Sequence, residues 1–159
     1  MRKQIIQSPA TTTTKIEGAL DVDSIATVMV TSELAAHPVE NAFDGQRGPG
    51  SSRWVSETGG EQTLKLAFDA PQTIRSVGLE IEETGENRTQ ELQLAVSRDG
   101  ENSWRELVRQ EFNFSPTGST FEREEWSINA EGVTHLRLQI KPDKGGRPCR
   151  ASVTSLVLR

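Results

Sequence analysis

The stretch from His37 to Trp54 is the one around which the rest of the chain is organised. It reads HPVENAFDGQRGPGSSRW, and so many turn-forming residues exclude a regular helix. Pro38 fixes its own φ, and the Asp-Gly pair at 44–45 favours a tight turn in which the carboxylate bonds to the downstream backbone. A loop of this length is functional or disordered. The apolar Phe43 and Trp54 within it predict that the loop is ordered.

The sequence gives little support to catalysis. The two histidines, His37 and His135, are far apart in the chain, and no Ser-His-Asp or Cys-His arrangement is indicated. Cys149 has no partner at a metal-ligand spacing, and we interpret its lone thiol as a bystander. The sequence therefore predicts that the chain is not an enzyme.

Composition and charge exclude several classes of partner. The 159 residues carry a formal net charge of -5, so no global basic field attracts nucleic acid, and nucleic-acid binding is not predicted. No run of about 18 apolar residues is present, which predicts no transmembrane helix and no membrane partner. The N-terminal residues lack the apolar centre of a signal peptide, so we expect a cytoplasmic location. The single cysteine excludes an internal disulfide framework.

Alternating segments are expected to position the binding residues. Apolar and polar residues alternate at 64–68, 77–82, 92–96 and 136–140, which is typical of strands with one buried face. Further strands are expected at 25–30, after Trp104, around 126–128 and at 156–158. Turn sequences such as Asp99-Gly100 separate them. About eight short strands without an amphipathic helix predict an all-β sandwich or barrel.

Several polar segments are interpreted as connections, edges or a tail. Residues 57–60 are predicted to form a turn, residues 69–71 to end a strand, and the charged run 122–125 to be a solvated strand edge. Residues 1–15 lack an apolar period and are predicted to be a flexible N-terminal tail. Residues 16–159 then form a single domain.

Two motifs resemble those of one family. HPVENAFDG followed by SSRW resembles the HPAxxAxDG…STRW opening of the discoidin domain, also called the coagulation factor type C (F5/8 type C) domain. SRDGENSW resembles the SxDGxxW hairpin of that family, and the resemblance extends over about Val28 to Leu158. It implies an eight-stranded jelly-roll β-sandwich of the galactose-binding-domain-like type, with ligands on the loops at one end. Many bacterial members of the family are carbohydrate-binding modules.

The resemblance also implies which loop residues bind a ligand. The candidates are Glu57, Glu82, Asn87, Arg88 and Arg147, and His37, Glu83 and Arg150 stand in the same loops. Such side chains orient sugar hydroxyls by charge-assisted hydrogen bonds, while an aromatic face stacks on the ring. Phe112 and Phe114 are candidate rings, whereas Trp54 and Trp104 match core positions of the family. An aromatic content of 5% without tyrosine weakens the case for a sugar platform.

A structural calcium ion is a further implication of the resemblance. Family members with a bound metal hold calcium beneath the loop that corresponds to residues 37–54. The matching ligands here are Asp44, the carbonyls of Phe43 and Gln46, and Ser52. Ser52 stands where threonine is usual in the family. Ser155 falls near the position of a family glutamate, so the site loses one carboxylate. No cofactor is required on this interpretation, and without calcium Asp44 is simply a turn residue.

Two functions remain open at this point. The first is a non-catalytic, carbohydrate-binding-like domain that uses the loops at one end of the sandwich. The alternative is an intracellular protein–protein interaction or scaffold domain of the same fold. The resemblance favours the first.

Overall fold

The computed structural model describes residues 16–159, so the predicted tail at 1–15 lies outside the described range and stays a prediction. Within this range the chain forms eight strands, in line with the about eight that the sequence predicted. They are β1 Ala26–Val30, β2 Trp54–Gly59, β3 Gln62–Glu82, β4 Arg88–Ser97, β5 Arg105–Phe114, β6 Phe121–Lys141, β7 Arg150–Val153 and β8 Ser155–Leu158. A short helix, α1, spans Val22–Ile25, and a 3-10 helix spans Val39–Phe43. No helix in residues 16–159 has the length and apolar character needed to cross a bilayer.

The strands form an antiparallel β-sandwich. The larger sheet has the order β1-β3-β6-β4-β5, β8 also pairs with β3, and β2 and β7 form a second, two-stranded sheet. Strands β3 and β6 pair along their whole length, from Gln62 opposite Ile140 to Glu82 opposite Phe121. β1 flanks the first half of β3, whereas β8 flanks its second half. The all-β sandwich prediction is confirmed.

Both ends of β3 lie at the same end of the sandwich. The start of β3 pairs with the end of β6, and Arg88 contacts both the carbonyl of Pro142 just after β6 and the carboxylate of Glu83 just after β3. The pair must therefore bend between these ends, and the pairing register shifts between Ala67 and Ser76. We call the end that carries the connections 83–87, 115–120 and 142–149 the loop end.

Two predicted breaks are continuous strands in the structure. The separate strands expected at 64–68 and 77–82 are parts of β3, because pairing with β6 resumes after Asp69–Pro71 with register shifts. Proline is tolerated at such irregular positions because it has no ladder hydrogen bond to lose there. The strands expected around 126–128 and at 136–140 likewise join in β6.

The turn expected at 57–60 is also corrected, since residues 57–59 belong to β2. Gly59 pairs with Arg150 of β7, and a Cβ atom at Gly59 would lie 2.5 Å from the carbonyl oxygen of Pro148. Glycine is needed here because the two backbones approach too closely for a side chain. A glycine in such a segment can therefore mark a close approach of two backbones as well as a turn.

The charged run 122–125 is not uniformly a solvated edge, because successive side chains of a strand point to opposite faces. Arg123 and Glu125 are exposed, while Glu122 is 1% exposed and accepts hydrogen bonds from the side-chain amides of Gln90 (3.2 Å) and Gln110 (3.5 Å). Burial, followed by the nearby Glu124 carboxylate and only partly offset by Arg88, raises the pKa of Glu122 to about 7. The interior of the sandwich thus contains a carboxyl group that is easily protonated.

This raised pKa gives a prediction for stability against pH. Between the ordinary carboxyl pKa near 4.5 and about 7, folded Glu122 holds a proton that the unfolded chain has lost, so stability falls as pH rises through this window. We expect Glu122→Gln to remove that fall, and to exceed the wild type in free energy of unfolding by on the order of 3 kcal/mol at pH 8 but not at pH 4.5. Urea unfolding at several pH values measures this.

The matched control is Glu125→Gln, which alters an exposed carboxylate on the same strand. It should leave the pH dependence of the wild type unchanged. Parallel pH profiles for the wild type and Glu122→Gln would contradict the prediction.

Candidate functional site

A cleft of about 520 Å³ opens at the loop end. Three parts of the chain form it: β2 with the residue before it, the end of β3 with the connection that follows, and β7 with Pro148, two positions before that strand. Its lining residues are Arg53, Val55, Glu57, Gly59, Glu82, Glu83, Glu86, Pro148, Arg150 and Ser152. The cleft is concave and rich in charge, and no aromatic side chain of residues 16–159 lines it.

One wall of the cleft is fixed by Glu82, whose side chain is 7% exposed. One carboxylate oxygen accepts from the guanidinium of Arg53 at 2.9 Å, and the other accepts from the backbone N–H of Gly50 at 2.9 Å. Both oxygens are therefore occupied by residues 44–53, which we call the opening loop. Glu82, a predicted ligand residue, lies in the cleft, but its carboxylate holds the opening loop in position.

Arg88 lies outside the cleft, in the interior of the sandwich, with no exposed side-chain surface. Its guanidinium donates to the Glu83 carboxylate (2.8 Å), the Gln90 side chain (3.1 Å) and the Pro142 carbonyl (2.9 Å), and it lies 4.7 Å from the centre of the Phe114 ring. Arg88 therefore ties together two loops that border the cleft and does not face a ligand. Its alternation with the buried residues of β4 was the signal that sequence reasoning missed.

The other predicted ligand residues divide between the cleft and the surface beside it. Glu57 is exposed in the cleft, and its backbone carbonyl accepts from Nε of Arg150 at 3.1 Å. Arg147 and Asn87 do not line the cleft: the guanidinium of Arg147 donates to the carbonyl of Asn87 and to the Asp143 carboxylate. Of the five candidates, the structure brings Glu57 and Glu82 together in one site.

Four further lining residues carry charge into the site. Glu83 and Arg150 stand in loops that the sequence singled out, whereas Arg53 and Glu86 were missed. The arginine of the SSRW motif was the available signal for Arg53. In the described part of the chain, the Glu57 carboxylate and the terminal guanidinium nitrogens of Arg150 have no hydrogen-bond partner, so they remain available to a ligand.

The candidate aromatic platforms are occupied elsewhere. Trp54 is fully buried and its ring N–H donates to the carbonyl of Ser32 at 3.0 Å. Phe112 and Phe114 stack against each other with ring centres 4.8 Å apart, and the Arg137 guanidinium covers Trp104 at 4.2 Å. None of these candidate rings therefore offers its face to a ligand in the cleft.

The cleft offers no activated nucleophile. Burial, with a hydrogen bond to the Glu86 carboxylate, raises the pKa of the Cys149 thiol to about 11, so the reactive thiolate is not formed near neutral pH. His135 belongs to the opposite end of the sandwich, where Nε2 lies 3.7 Å from the Glu101 carboxylate. Residues 16–159 contain no group of three or more histidine, cysteine or acidic residues able to hold a metal. The cleft thus offers charged groups that can form hydrogen bonds with a ligand.

Comparison with known proteins decides the family. The sequence profile of the F5/8 type C domain matches residues 27–153. The chain belongs to this family. No curated protein sequence matches the chain.

Solved structures share the fold of this F5/8 type C domain. The family 32 carbohydrate-binding module of NanJ from C. perfringens, in complex with galactose, is 15% identical with a TM-score of 0.60, over 88% of this chain and 96% of that one. CpGH89CBM32-5 from Clostridium perfringens, in complex with GalNAc-β-1,3-galactose, is 24% identical with a TM-score of 0.57, over 88% and 98%. A chitosan-binding module of a chitosanase/glucanase from Paenibacillus sp. IK-5 is 20% identical with a TM-score of 0.57, over 89% and 96%.

The calcium ligands implied by the F5/8 type C family do not form a calcium site here. Asp44 accepts from the backbone N–H of Gln46 at 2.9 Å and from the hydroxyl of Ser52, so two of the predicted ligands are bonded to each other. Asp44 is the one carboxylate in this set, and the neighbouring cavity of about 210 Å³, which Ser155 also lines, is mostly apolar. Calcium needs 6–8 oxygen ligands. These residues do not fit it.

Two carboxylates of β3 hold the opening loop instead. Glu80 is 2% exposed and accepts from the backbone N–H of Gly48 at 2.7 Å and from the guanidinium groups of Arg47 (3.2 Å) and Arg123 (3.3 Å). Burial by itself raises the pKa of Glu80, but the hydrogen bond from Gly48 and the two arginines outweigh it and lower the pKa below its ordinary value. Together with Glu82, it anchors the loop through direct hydrogen bonds.

Because Arg88 is buried, we expect its substitution to destabilise the domain and not only to remove a ligand contact. We expect Arg88→Ala to lower the free energy of unfolding by about 3 kcal/mol, because it leaves buried partners without a donor. Arg147→Ala removes an arginine whose side chain is 56% exposed, and should change stability by less than about 1 kcal/mol. Urea unfolding at neutral pH compares the two. If the two substitutions had similarly small effects on the free energy of unfolding, Arg88 would again be a candidate ligand residue.

The anchoring of the opening loop predicts a response to pH but not to calcium. Because the folded pKa of Glu80 is lowered, its contribution is present above pH 4.5 and is lost as pH falls through the folded pKa. Glu80→Gln should lower the free energy of unfolding by about 2 kcal/mol at neutral pH. The control Glu40→Gln, on an exposed residue of the preceding 3-10 helix, should not. A melting temperature that rises with calcium and falls with chelator would contradict this account.

Proposed function

We propose that this chain is a non-catalytic carbohydrate-binding domain that holds a sugar in the cleft at its loop end. The observation that carries the proposal is the cleft itself, a concave site of about 520 Å³. The Glu57 carboxylate and the terminal guanidinium nitrogens of Arg150, which have no hydrogen-bond partner within residues 16–159, lie there on the paired strands β2 and β7. A carboxylate accepts from sugar hydroxyls and a guanidinium donates to sugar oxygens, and such charge-assisted hydrogen bonds orient a polar ligand. The raised pKa of the Cys149 thiol, which disfavours nucleophilic chemistry beside the cleft, supports a binding role without catalysis.

The family supports the same proposal. This F5/8 type C domain shares its fold with modules that were solved with galactose and with GalNAc-β-1,3-galactose. The cleft of this chain is bordered by connections at one end of the sandwich, where the family resemblance led us to expect the ligand. We therefore propose that the sugar lies over the paired strands β2 and β7, beside the connection that follows β3.

The alternative, a protein-interaction domain, receives no comparable support. A stable protein interface usually has an apolar centre. Met29, at 37%, is the one large apolar side chain that is exposed within residues 16–159. The polar cleft is therefore the feature that favours a function, and it favours a hydrophilic ligand.

A glycan-array screen of the purified domain tests the proposal. We expect binding to one class of sugar, and we expect Arg150→Ala to weaken it about tenfold because a charged hydrogen-bond donor is lost from the cleft. Arg105→Ala is the control, since Arg105 is exposed and pairs with Val96 near the opposite end of the sandwich. A folded protein that binds no glycan, or binding that survives Arg150→Ala, would overturn the proposed site.

A further inference from the structure

The charges of the cleft are not balanced. Its lining contains four carboxylates and two guanidinium groups: Glu57, Glu82, Glu83 and Glu86 against Arg53 and Arg150. The whole chain also carries a net charge of -5. The field at the cleft is therefore negative and favours a cationic ligand over an anionic one.

Pairing within the protein removes part of this charge but not the excess. Arg53 neutralises Glu82 at 2.9 Å, and the buried Arg88 neutralises Glu83 at 2.8 Å. Glu57 and Glu86 then remain without an arginine partner, the Glu86 carboxylate accepting a hydrogen bond from the Cys149 thiol, and Arg150 is the one lining guanidinium of residues 16–159 that is not committed to a carboxylate. Two carboxylates without a cationic partner thus border the cleft together with a single cationic donor.

The absence of an aromatic ring from the cleft lining makes this charge decisive. A sugar held here gains little from stacking of its apolar face, so hydroxyl and charge contacts must supply the affinity. A protonated amine donates to carboxylates more strongly than a hydroxyl does, whereas the carboxylate of a uronic acid is repelled by them.

From this arrangement we infer that the ligand is an amine-bearing sugar, such as a chain of deacetylated glucosamine, with Glu57 and Glu86 accepting from its ammonium groups. This inference rests on the proposed function and adds the chemical class of the sugar. Arg150 supplies the donor for ring or hydroxyl oxygens. The site thereby discriminates between sugars that share a hydroxyl pattern and differ in charge.

Calorimetric titration with two matched probes tests the inference. The probes are a glucosamine hexamer and an N-acetylglucosamine hexamer, which differ in the charge and acetylation of the amine. At about pH 6 a typical amine is protonated and an exposed glutamate is ionised. We expect the glucosamine hexamer to bind at least tenfold more tightly, and Glu57→Gln and Glu86→Gln each to weaken it severalfold.

The control variant is Glu131→Gln, which makes the same charge change at an exposed position outside the cleft. It should leave the affinity unchanged. If Glu131→Gln weakens binding as much as the cleft variants, the hexamer is attracted to the acidic protein as a whole and the inference is overturned. If the N-acetylated hexamer binds equally well and Arg150→Ala abolishes it, the amine class is wrong while sugar binding in the cleft stands. If neither hexamer nor any arrayed glycan binds, both proposals fail.

Discussion

The loop end depends on the alternation of side chains along the second half of β3. Leu79 and Ile81 point into the core, while Glu80 and Glu82 point to the opposite face. In an ordinary two-layer sandwich that face would be solvated. Here the opening loop covers it, and the two carboxylates accept the backbone N–H groups of Gly48 and Gly50. Covering a sheet face with irregular backbone is stable only when the polar groups of that backbone find partners.

The same strand end connects the anchoring of the loop to the shape of the cleft. Glu82 fixes Arg53 and thereby one wall, while Arg88 holds the connection after β3 against the connection after β6. Burying charges is favourable only when each is well paired, since the loss of solvation is large. These contacts fix the loops around the cleft before a ligand arrives, which lowers the entropy that binding must offset.

Much of the fold could be predicted from the sequence, because alternation and turn chemistry are local signals. These local signals wrongly predicted a strand end at Asp69–Pro71 and a turn at Gly59. Long-range pairing with β6 at the first position and with β7 at the second overrides the local preference. The family motif located the opening loop correctly. The cytoplasmic location and the flexible N-terminal tail stay predictions.

Individual site residues were harder to predict, because a loop glutamate or arginine has the same local pattern whether it faces a ligand or a buried partner. Arg88 and Glu57 were both candidate ligand residues. Arg88 is enclosed by Glu83, Gln90 and Phe114, whereas Glu57 is exposed. Only tertiary contacts separate these cases. Glu86 is the opposite case. Nothing in its local sequence indicates a site residue, but the path of the folded loop brings it to the cleft.

The polar character of the cleft has a consequence for how the domain recognises its ligand. Aromatic platforms bind through area and tolerate many sugars, whereas hydrogen bonds between charged and neutral groups depend on the position of each atom. Exposed charges are screened by salt, and each contributes modestly. On the proposed function, we expect a single such site to bind weakly on its own and to provide selectivity rather than tight affinity. Strong attachment to a polymer would come from repeated occupancy along a multivalent chain, because linked sites raise the effective concentration.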